Sequence, residues 1–371
     1  MRIPFVDLKT SDAELRRKMA SAVERTIDGA QFILGDAVGK FEKEFAEYSG
    51  TEHGIGVANG TEALHLTLRA LEIGPGDEVI TAANTFIASA LSIAYTGASP
   101  VLVDVDPHDY LINVDLIERA ITPRTKAILP VHLYGQPANM PAILEIAEKH
   151  GLAVVQDACQ AHGARIGETP VASLGTAACF SFYPSKNLGA CGDGGAVVTS
   201  CGKLAERVRM LRNYGQRTKN DFATLGYNSR LDTLQAAILS VKLPYLDHWN
   251  ERRRMFAGMY RELLSDSELL MPTERAGVGH VYHLYVVRHP QRDALQAHLQ
   301  STGVECGIHY PTPIHKIAPF GGARTVPEGA PVSSRLAEEI LSLPMHPELN
   351  REQVERVADQ ARMFSAQCAV A

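Results

Sequence analysis

Residues 181–195 read SFYPSKNLGACGDGG, which places Lys186 between a short aromatic run and a glycine-rich segment. Glycine accepts positive φ angles and presents no side chain, so other parts of a protein can approach such a segment closely. A lysine held there can be partly desolvated, which favours its neutral amine and allows it to form a Schiff base with a carbonyl compound. By itself, the stretch also fits a surface turn with a solvated lysine.

A second informative stretch lies upstream and reads AVVQDACQAHG over residues 153–163. Its apolar run ends abruptly in an acid, which is typical of a buried parallel strand that carries Asp157 at its carboxyl end. Ligands of open α/β sheets bind at that end of the strands. The stretch therefore favours Lys186 as a catalytic residue over the surface alternative.

Together, DACQAHG (157–163) and SFYPSK (181–186) resemble motifs of the pyridoxal-phosphate-dependent sugar aminotransferases of the DegT/DnrJ/EryC1/StrS family. Matching features run from FVDL (5–8) to LPMH (343–346), so the resemblance covers nearly the whole chain. It implies an α/β protein of fold type I, like aspartate aminotransferase, with a mostly parallel central sheet wrapped by helices and a smaller α+β C-terminal domain. Strands that alternate with helices at this spacing also indicate a mostly parallel sheet covered on both faces.

The chain of 371 residues is long enough for two lobes, each able to bury a core. We expect a large domain that binds pyridoxal phosphate (PLP) over residues 1–246 and a small C-terminal domain over residues 247–371. Long helices are predicted over 234–249 and 251–264, and the boundary falls near their junction.

The resemblance assigns catalytic roles to Lys186 and Asp157. Lys186 would hold PLP as an internal aldimine, be displaced by the amino donor, and then shuttle a proton as general acid and base, with pyridoxamine phosphate as an intermediate. Asp157 would keep the ring nitrogen of the cofactor protonated, because a buried carboxylate favours the cation. Relatives that dehydrate sugars carry histidine at the lysine position, so Lys186 favours transamination.

Binding of the cofactor phosphate is predicted at the start of a helix near residues 58–64. Asn59 or Thr61 can cap that helix, and its free N–H groups form an anion site. An ordinary N-cap without a ligand is the alternative from the residues alone. The resemblance makes Gly60 and Thr61 phosphate contacts and adds the hydroxyl of Ser181.

Three further cofactor contacts are implied by the resemblance. Phe86 would stack on the pyridine ring, although a lone phenylalanine is more commonly a core residue. Gln160 would contact the ring or its 3-oxygen, at a position where many relatives have histidine. Asn228 matches the residue that reaches the phosphate of the partner subunit's cofactor, which implies a homodimer with active sites at its interface.

Candidate substrate contacts come from two other segments. The basic stretch with Arg217 and Lys219 reads as a solvated loop by itself, but in the family it crosses the dimer interface and could meet the nucleotide diphosphate of the substrate. In GIHYPTPIH (307–315), prolines stiffen the loop, and His309, Tyr310 and His315 carry groups able to hydrogen-bond sugar hydroxyls. The hydroxyl of Tyr183 is placed near the lysine.

Bulk properties exclude several other classes of function. The net charge of −6 and the absence of a long basic run give no electrostatic footprint for nucleic acid. Six cysteines without a CxxC pair suit a reducing cytoplasm, and no apolar span has the length that a bilayer needs. Residues 281–288 alternate like a strand, which places His280, His283 and His289 unevenly, so we predict no zinc or other metal site.

The chain is therefore predicted to be a homodimeric, cytoplasmic PLP-dependent aminotransferase that takes its amino group from L-glutamate. The forms of His309–Tyr310 and of residues 228–232 resemble the subgroup that aminates the C3 of a sugar, so a dTDP-linked 3-keto-6-deoxyhexose is the favoured acceptor. C4 amination of a UDP- or dTDP-4-keto sugar and amination of a cyclitol ketone are alternatives. An alternative of another class is a PLP-sensing or interaction protein with a degenerate aminotransferase fold.

Overall fold

The computed structural model describes residues 2–368. Helices form where apolar residues recur at helical spacing and end where the chain can leave the helix. The C-terminus of α6, for example, is followed by Gly151 in the left-handed conformation (φ 64°), which glycine adopts without strain. The helices are α1 (Ala13–Gly29), α2 (Asp36–Ser49), α3 (Gly60–Ala70), α4 (Ile87–Tyr95), α5 (Val114–Ala120), α6 (Met140–His150), α7 (Gly202–Leu211), α8 (Thr233–Lys242), α9 (Leu246–Leu263), α10 (Arg292–Ser301), α11 (Pro331–Glu339) and α12 (Arg351–Cys368).

The strands are short, and most belong to one large sheet. They are β1 (His53–Val57), β2 (Glu78–Ala82), β3 (Ser99–Val103), β4 (Thr125–Leu129), β5 (Ala153–Asp157), β6 (Arg165–Ile166), β7 (Thr169–Pro170), β8 (Ala177–Ser181), β9 (Gly195–Thr199), β10 (Gln216–Thr218), β11 (Asp221–Phe222), β12 (Val278–Gly279), β13 (Tyr285–Arg288), β14 (Thr325–Val326) and β15 (Ile340–Leu343).

The central sheet has eight strands in the order β1-β9-β8-β5-β4-β2-β3-β14. Only β9 runs against the others, since it pairs antiparallel with both β1 and β8. All residues of β2 and β9 are buried, as expected for strands of a sheet covered on both faces. The predicted mostly parallel α/β architecture is confirmed.

The sheet brings the two informative stretches of sequence together at one edge. β5 and β8 are parallel neighbours, and Asp157, the last residue of β5, pairs with Cys179 of β8. Ser181 is the last residue of β8, and the turn after it carries Lys186. Because parallel strands end at the same edge, Asp157 and the lysine-bearing turn meet there.

A second hydrophobic core is formed largely by residues after 255, with Phe256 and Tyr260 of α9 among its buried members. Ile3 also belongs to this core and pairs with Val304, so the start of the chain lies with the C-terminal residues. Conversely, β14 comes from the C-terminal part of the chain but joins the central sheet beside β3. The division at residue 246 stays a prediction.

The two long helices predicted around this boundary differ from the observed ones. The first helix, α8, ends at Lys242, and residues Leu243–Tyr245 form a 3-10 turn. Pro244 explains the break, because proline lacks the N–H that a continuing helix needs. The next helix, α9, then runs without interruption through residues 249–251. Among residues 2–368, no helix combines the length and the apolar character that spanning a membrane requires.

Candidate active site

A cavity of about 630 Å³ opens at the carboxyl edge of the sheet, beside Asp157 and Lys186. Residues from distant parts of the sequence line it, and these include most of the predicted site. The predicted residues at its wall are Gly60, Thr61, Phe86, Asp157, Gln160, Ser181, Tyr183, Lys186, His309 and Tyr310.

Lys186 is held by the turn that follows β8. Its main-chain N–H donates to the carbonyl of Tyr183 (2.8 Å). Burial lowers the pKa of the Lys186 amine, and the neighbouring Cys159 and Asp157 only partly offset this. A larger fraction of the amine is therefore neutral than in a solvated lysine, which is the form that attacks a carbonyl carbon.

Asp157 is 6% exposed, and both of its carboxylate oxygens accept hydrogen bonds. The Ser89 hydroxyl donates to Oδ2 (2.7 Å), and the main-chain N–H of Cys159 lies 3.2 Å from Oδ1. The hydroxyls of Thr85 and Ser89 are 3.0 Å apart, so α4 and Thr85, two residues before its first residue, supply a short chain of hydroxyls to the carboxylate. These contacts fix the orientation of a buried carboxylate that points towards the cavity.

The N-terminus of α3 forms a tight cradle against the strand ends. Asn59 caps the helix by accepting from the N–H of Glu62 (2.9 Å), while the other first-turn N–H groups have no partner within the helix. A Cβ added at Gly60 would lie 2.6 Å from the Cβ of Ser181 and 2.8 Å from the sulfur of Cys159. Only glycine fits this position, and the free N–H groups suit an anion.

Gln160 is oriented by a main-chain group of Tyr134. The Tyr134 N–H can only donate, so Gln160 must direct its Oε1 there (2.7 Å) and its Nε2 to the Tyr310 hydroxyl oxygen (3.1 Å). The hydroxyl of Tyr310 therefore accepts from Gln160 and keeps its own proton for another acceptor. Tyr134 also donates its hydroxyl to the carbonyl of His309. It occupies the left-handed conformation (φ 60°, ψ 1°), which turns both groups towards the site.

The aromatic side chains of the cavity differ in exposure. Phe86, the N-cap residue of α4, is 50% exposed, and its ring centroid lies 5.4 Å from that of Tyr310. An aromatic face that opens into a cavity can stack on a planar ligand, whereas a core phenylalanine could not. The His309 ring stacks on Phe5 at 5.4 Å, and burial together with the charge of Lys186 lowers the pKa of His309 to about 4.

Four predicted residues do not line this cavity. Asn228 is exposed, and so are Arg217 and Lys219 on or beside the β10–β11 hairpin, where Arg217 lies 3.7 Å from Asp221. His315 is part of a 3-10 turn and its ring lies 3.2 Å from the Ser334 hydroxyl. Their roles in binding a ligand stay predictions.

Sequence reasoning missed Ser89, Tyr134 and His283. Ser89 contacts Asp157, and Tyr134 contacts Gln160. The two residues of each pair are far apart in the sequence, so no local motif marks Ser89 or Tyr134. His283 lines the cavity, whereas the alternation of residues 281–288 predicts a strand. Only Tyr285–Arg288 form that strand, because the main chain at Tyr282 turns to φ 43°.

The residues present fit PLP. A partly desolvated lysine can bond to an aldehyde, and a buried carboxylate can hold a ring-nitrogen proton. The glycine cradle at the α3 N-terminus suits a phosphate, and the open Phe86 ring suits a planar heterocycle. Among the described residues, no group of three or more His, Cys, Asp or Glu side chains could hold a metal ion.

Comparison with known proteins agrees with this fit. The sequence profile of the DegT/DnrJ/EryC1/StrS aminotransferase family matches residues 13–362. A UDP-N-acetyl-3-dehydro-α-D-glucosamine 3-aminotransferase of Acidithiobacillus ferrooxidans is 49% identical over 360 residues, 97% of each chain. A dTDP-3-amino-3,4,6-trideoxy-α-D-glucose transaminase of Streptomyces venezuelae is 48% identical over 368 residues, 98% of this chain and 96% of the relative.

Solved structures of similar sequence share this fold. The crystal structure of S. venezuelae DesV in complex with a ketimine intermediate superimposes with a TM-score of 0.96 at 46% identity and covers 98% of both chains. The predicted family and fold class are thereby confirmed, and an enzyme is supported over the alternative of a non-enzymatic sensor. The chain belongs to the DegT/DnrJ/EryC1/StrS aminotransferase family and is a PLP-dependent aminotransferase.

Proposed function

We propose that this enzyme transfers an amino group from L-glutamate to the C3 keto group of a dTDP-linked 3-keto-6-deoxyhexose, in the cytoplasm. The observation that carries the transamination is the meeting of Lys186 and Asp157 in one cavity at the sheet edge. The position of amination is supported by two relatives whose names both specify the 3-position of a nucleotide-linked sugar.

Each residue of the catalytic pair has a distinct task in this proposal. Lys186 would hold PLP through its Nζ, because its lowered pKa favours the neutral amine, and would move a proton at the substrate carbon once the amino donor has taken its place. Asp157, held by Ser89, keeps the proton on the ring nitrogen. When bound, the cofactor withdraws electrons from the amino-bearing carbon.

The remaining wall residues position the cofactor in the proposal. The α3 N-terminus, with Gly60 and Thr61, and the Ser181 hydroxyl bind the phosphate, while Phe86 stacks on the ring and Gln160 contacts its edge. Glutamate and the keto sugar would use the same cavity in turn, because the amino group taken from glutamate must be held there on the bound cofactor until the keto sugar accepts it.

A second copy of the chain completes the site in our proposal. Large apolar side chains are exposed around the hairpin, with Tyr214 at 44%, Phe222 at 61% and Leu225 at 92% exposure. Exposed apolar groups clustered in this way are typical of a contact surface. Asn228 of one copy would reach the phosphate in the other copy, and Arg217 and Lys219 would meet the nucleotide diphosphate.

The sugar itself is proposed to bind between the two lobes of the chain, divided as residues 1–246 and 247–371. His309 and Tyr310 lie at the cavity wall, and Tyr183 is 56% exposed beside the lysine turn. Tyr310 keeps its hydroxyl proton for an acceptor, which suits a keto or hydroxyl oxygen of a sugar. His315 would contact the sugar only if the loop that carries it moves towards the cavity.

A UDP-linked 3-keto-N-acetylhexosamine is the second candidate, because the 49% identical A. ferrooxidans relative is named for such a substrate. Arg217 and Lys219, which are proposed to contact the diphosphate, would serve a dTDP-linked or a UDP-linked sugar equally. The two candidates differ at the sugar C2 and C6 substituents and at the base.

The test is a substrate panel with the purified holoenzyme and L-glutamate. It contains dTDP-3-keto-6-deoxyhexose, UDP-3-keto-N-acetylglucosamine, dTDP-4-keto-6-deoxyglucose and a cyclitol ketone, and products are assigned by mass and NMR. The proposal expects the highest kcat/KM for the dTDP-3-keto sugar. Preference for the UDP-3-keto sugar would select the second candidate, and C4 amination would contradict both.

A further inference from the structure

His283 faces the cavity that contains Lys186 and Asp157, yet it has no part in the proposal above. The residue is only 8% exposed. The segment that carries it belongs to the C-terminal half of the chain and reaches the sheet edge through a hydrogen bond from the Val281 N–H to the Gly135 carbonyl (3.0 Å). The chemistry that His283 offers depends on which of its ring nitrogens carries a proton.

A chain of side-chain amides settles that question. The carbonyls of His162 and Val281 can only accept hydrogen bonds. Asn250 must therefore direct its Nδ2 to the His162 carbonyl (2.9 Å), which leaves its Oδ1 to accept from the Nδ2 of Asn187 (2.8 Å). The same Nδ2 donates to the Val281 carbonyl (3.0 Å). The remaining atom, Oδ1 of Asn187, lies 3.1 Å from Nδ1 of His283, so Nδ1 is the donor.

The imidazole of His283 is neutral. Its burial lowers its pKa well below the ordinary value, and the positive charges of Lys186 and Arg253 lower it further. A neutral ring has one proton, and the amide chain places that proton on Nδ1. Nε2 is left with its lone pair, and it has no hydrogen-bond partner among residues 2–368.

Other buried histidines of this protein have the opposite arrangement. Nδ1 of His132 accepts from the N–H of Ala138 (2.9 Å), and Nδ1 of His280 accepts from the N–H of Tyr282 (2.9 Å). Burial lowers the pKa of His132 to about 4 and that of His280 to about 3. These neutral rings therefore carry their proton on Nε2, which makes them internal references for His283.

We propose that Nε2 of His283 accepts a hydrogen bond from a hydroxyl group of the keto sugar bound beside Lys186. The positive charge of Arg253 disfavours an ammonium donor at this place, whereas a hydroxyl is neutral. His283 acts as a hydrogen-bond acceptor, because the proton of its neutral ring lies on Nδ1 and the lone pair lies on Nε2. This inference rests on the proposed function for the identity of the ligand.

The protonation state can be tested without turnover. Histidine-selective ¹⁵N NMR of the holoenzyme, with His283→Asn used to assign the signal, reports which ring nitrogen carries the proton. We expect Nδ1–H for His283 and Nε2–H for His132 and His280. Adding the dTDP-3-keto sugar to the PLP form, which has no amino group to transfer, should shift the Nε2 signal of His283. A proton on Nε2, or an unshifted signal with bound sugar, would overturn the inference.

Kinetics of His283→Asn provide the second test. The Nδ2 of asparagine can keep the donor to Asn187, while the acceptor at Nε2 is lost. We expect KM for the keto sugar to rise about threefold to tenfold, as for one lost hydrogen bond, with KM for L-glutamate unchanged. His280→Asn, at a buried histidine outside the cavity, should change neither constant.

These results separate the two proposals. If wild-type enzyme aminates no keto sugar, the proposed function fails, while the ring protonation still stands or falls by NMR. If wild-type enzyme is active but His283→Asn raises both KM values equally, or raises only that for glutamate, His283 is not the sugar acceptor. If His283→Asn does not fold, His283→Gln assigns the NMR signal instead, and the sugar-induced shift in wild-type enzyme decides.

Discussion

One set of predicted ligand residues lies at the strand ends of the sheet edge, the strand-end region. Another set lies on or near the exposed β10–β11 hairpin, the hairpin region. The two sets are organised differently. Asp157, Lys186 and Ser181 are brought together by neighbouring parallel strands of one chain. Arg217 and Lys219 lie exposed on the hairpin segment, and they do not line this chain's cavity. The catalytic residues therefore come together within one chain, whereas our proposal requires a second copy for the outer binding groups.

Replacing Asp157 tests the strand-end region and should have a much larger effect than removing the Tyr134 hydroxyl, which is described below. Asp157→Asn keeps the shape and can still contact Ser89, but the amide cannot stabilise a protonated ring nitrogen. We expect kcat to fall about 100- to 1,000-fold, as for loss of one preorganised electrostatic group. Steady-state kinetics with cofactor in excess measure this. A kcat within a few-fold of wild type would remove Asp157 from the catalytic assignment.

Mixed dimers test whether the hairpin region serves a second copy. Lys186→Ala removes the proposed nucleophile, and Asn228→Asp sets a negative charge against the phosphate. Each variant alone should be nearly inactive, but refolding an equal mixture should restore roughly a quarter of wild-type activity, because half of randomly paired dimers have one complete site. No recovery in dimers shown to be mixed would mean that Asn228 acts in its own chain or not at all.

Removing the Tyr134 hydroxyl tests how the strand-end region is joined to the sugar loop, and its effect should be the smallest. Tyr134→Phe removes the bond to the His309 carbonyl but leaves the main-chain N–H that orients Gln160. We expect KM for the keto sugar to rise about threefold to tenfold, with little change in the glutamate half-reaction.

Tyr260→Phe is the matched control for that change, because its buried hydroxyl also donates to a carbonyl, that of Pro344 (3.0 Å), away from the cavity. Both variants should lose about 1 kcal/mol of stability in urea unfolding. Only Tyr134→Phe should alter KM. Equal KM values of both variants for the keto sugar would mean that the Tyr134 hydroxyl has only a structural role.

Sequence alone could predict the strand-end region because its residues lie in short contiguous stretches. Asp157 ends an apolar strand and Lys186 stands in a glycine-rich turn, so each leaves a local pattern. His283 leaves no such pattern, because its orientation depends on the turn at Tyr282 and on amides up to 96 residues away.

Parts of the fold were unpredictable for similar physical reasons. β14 has two residues, too few for a period, and it joins the sheet only because the C-terminal part of the chain returns beside β3. The break after Lys242 follows from Pro244, which interrupts an otherwise strongly helical pattern of residues. The residues of the hairpin were recognised through the family resemblance, and a single chain provides no contact that tests their roles.

The most direct test of the central claim is the visible absorption spectrum of the protein supplied with PLP, recorded before and after L-glutamate, beside Lys186→Ala. The account predicts a band for covalently bound cofactor in wild-type protein, its loss on addition of glutamate, and no such band in the variant. A wild-type protein without the band in excess PLP, or a variant that retains it and responds to glutamate, would contradict the assignment of Lys186 as the residue that carries the cofactor.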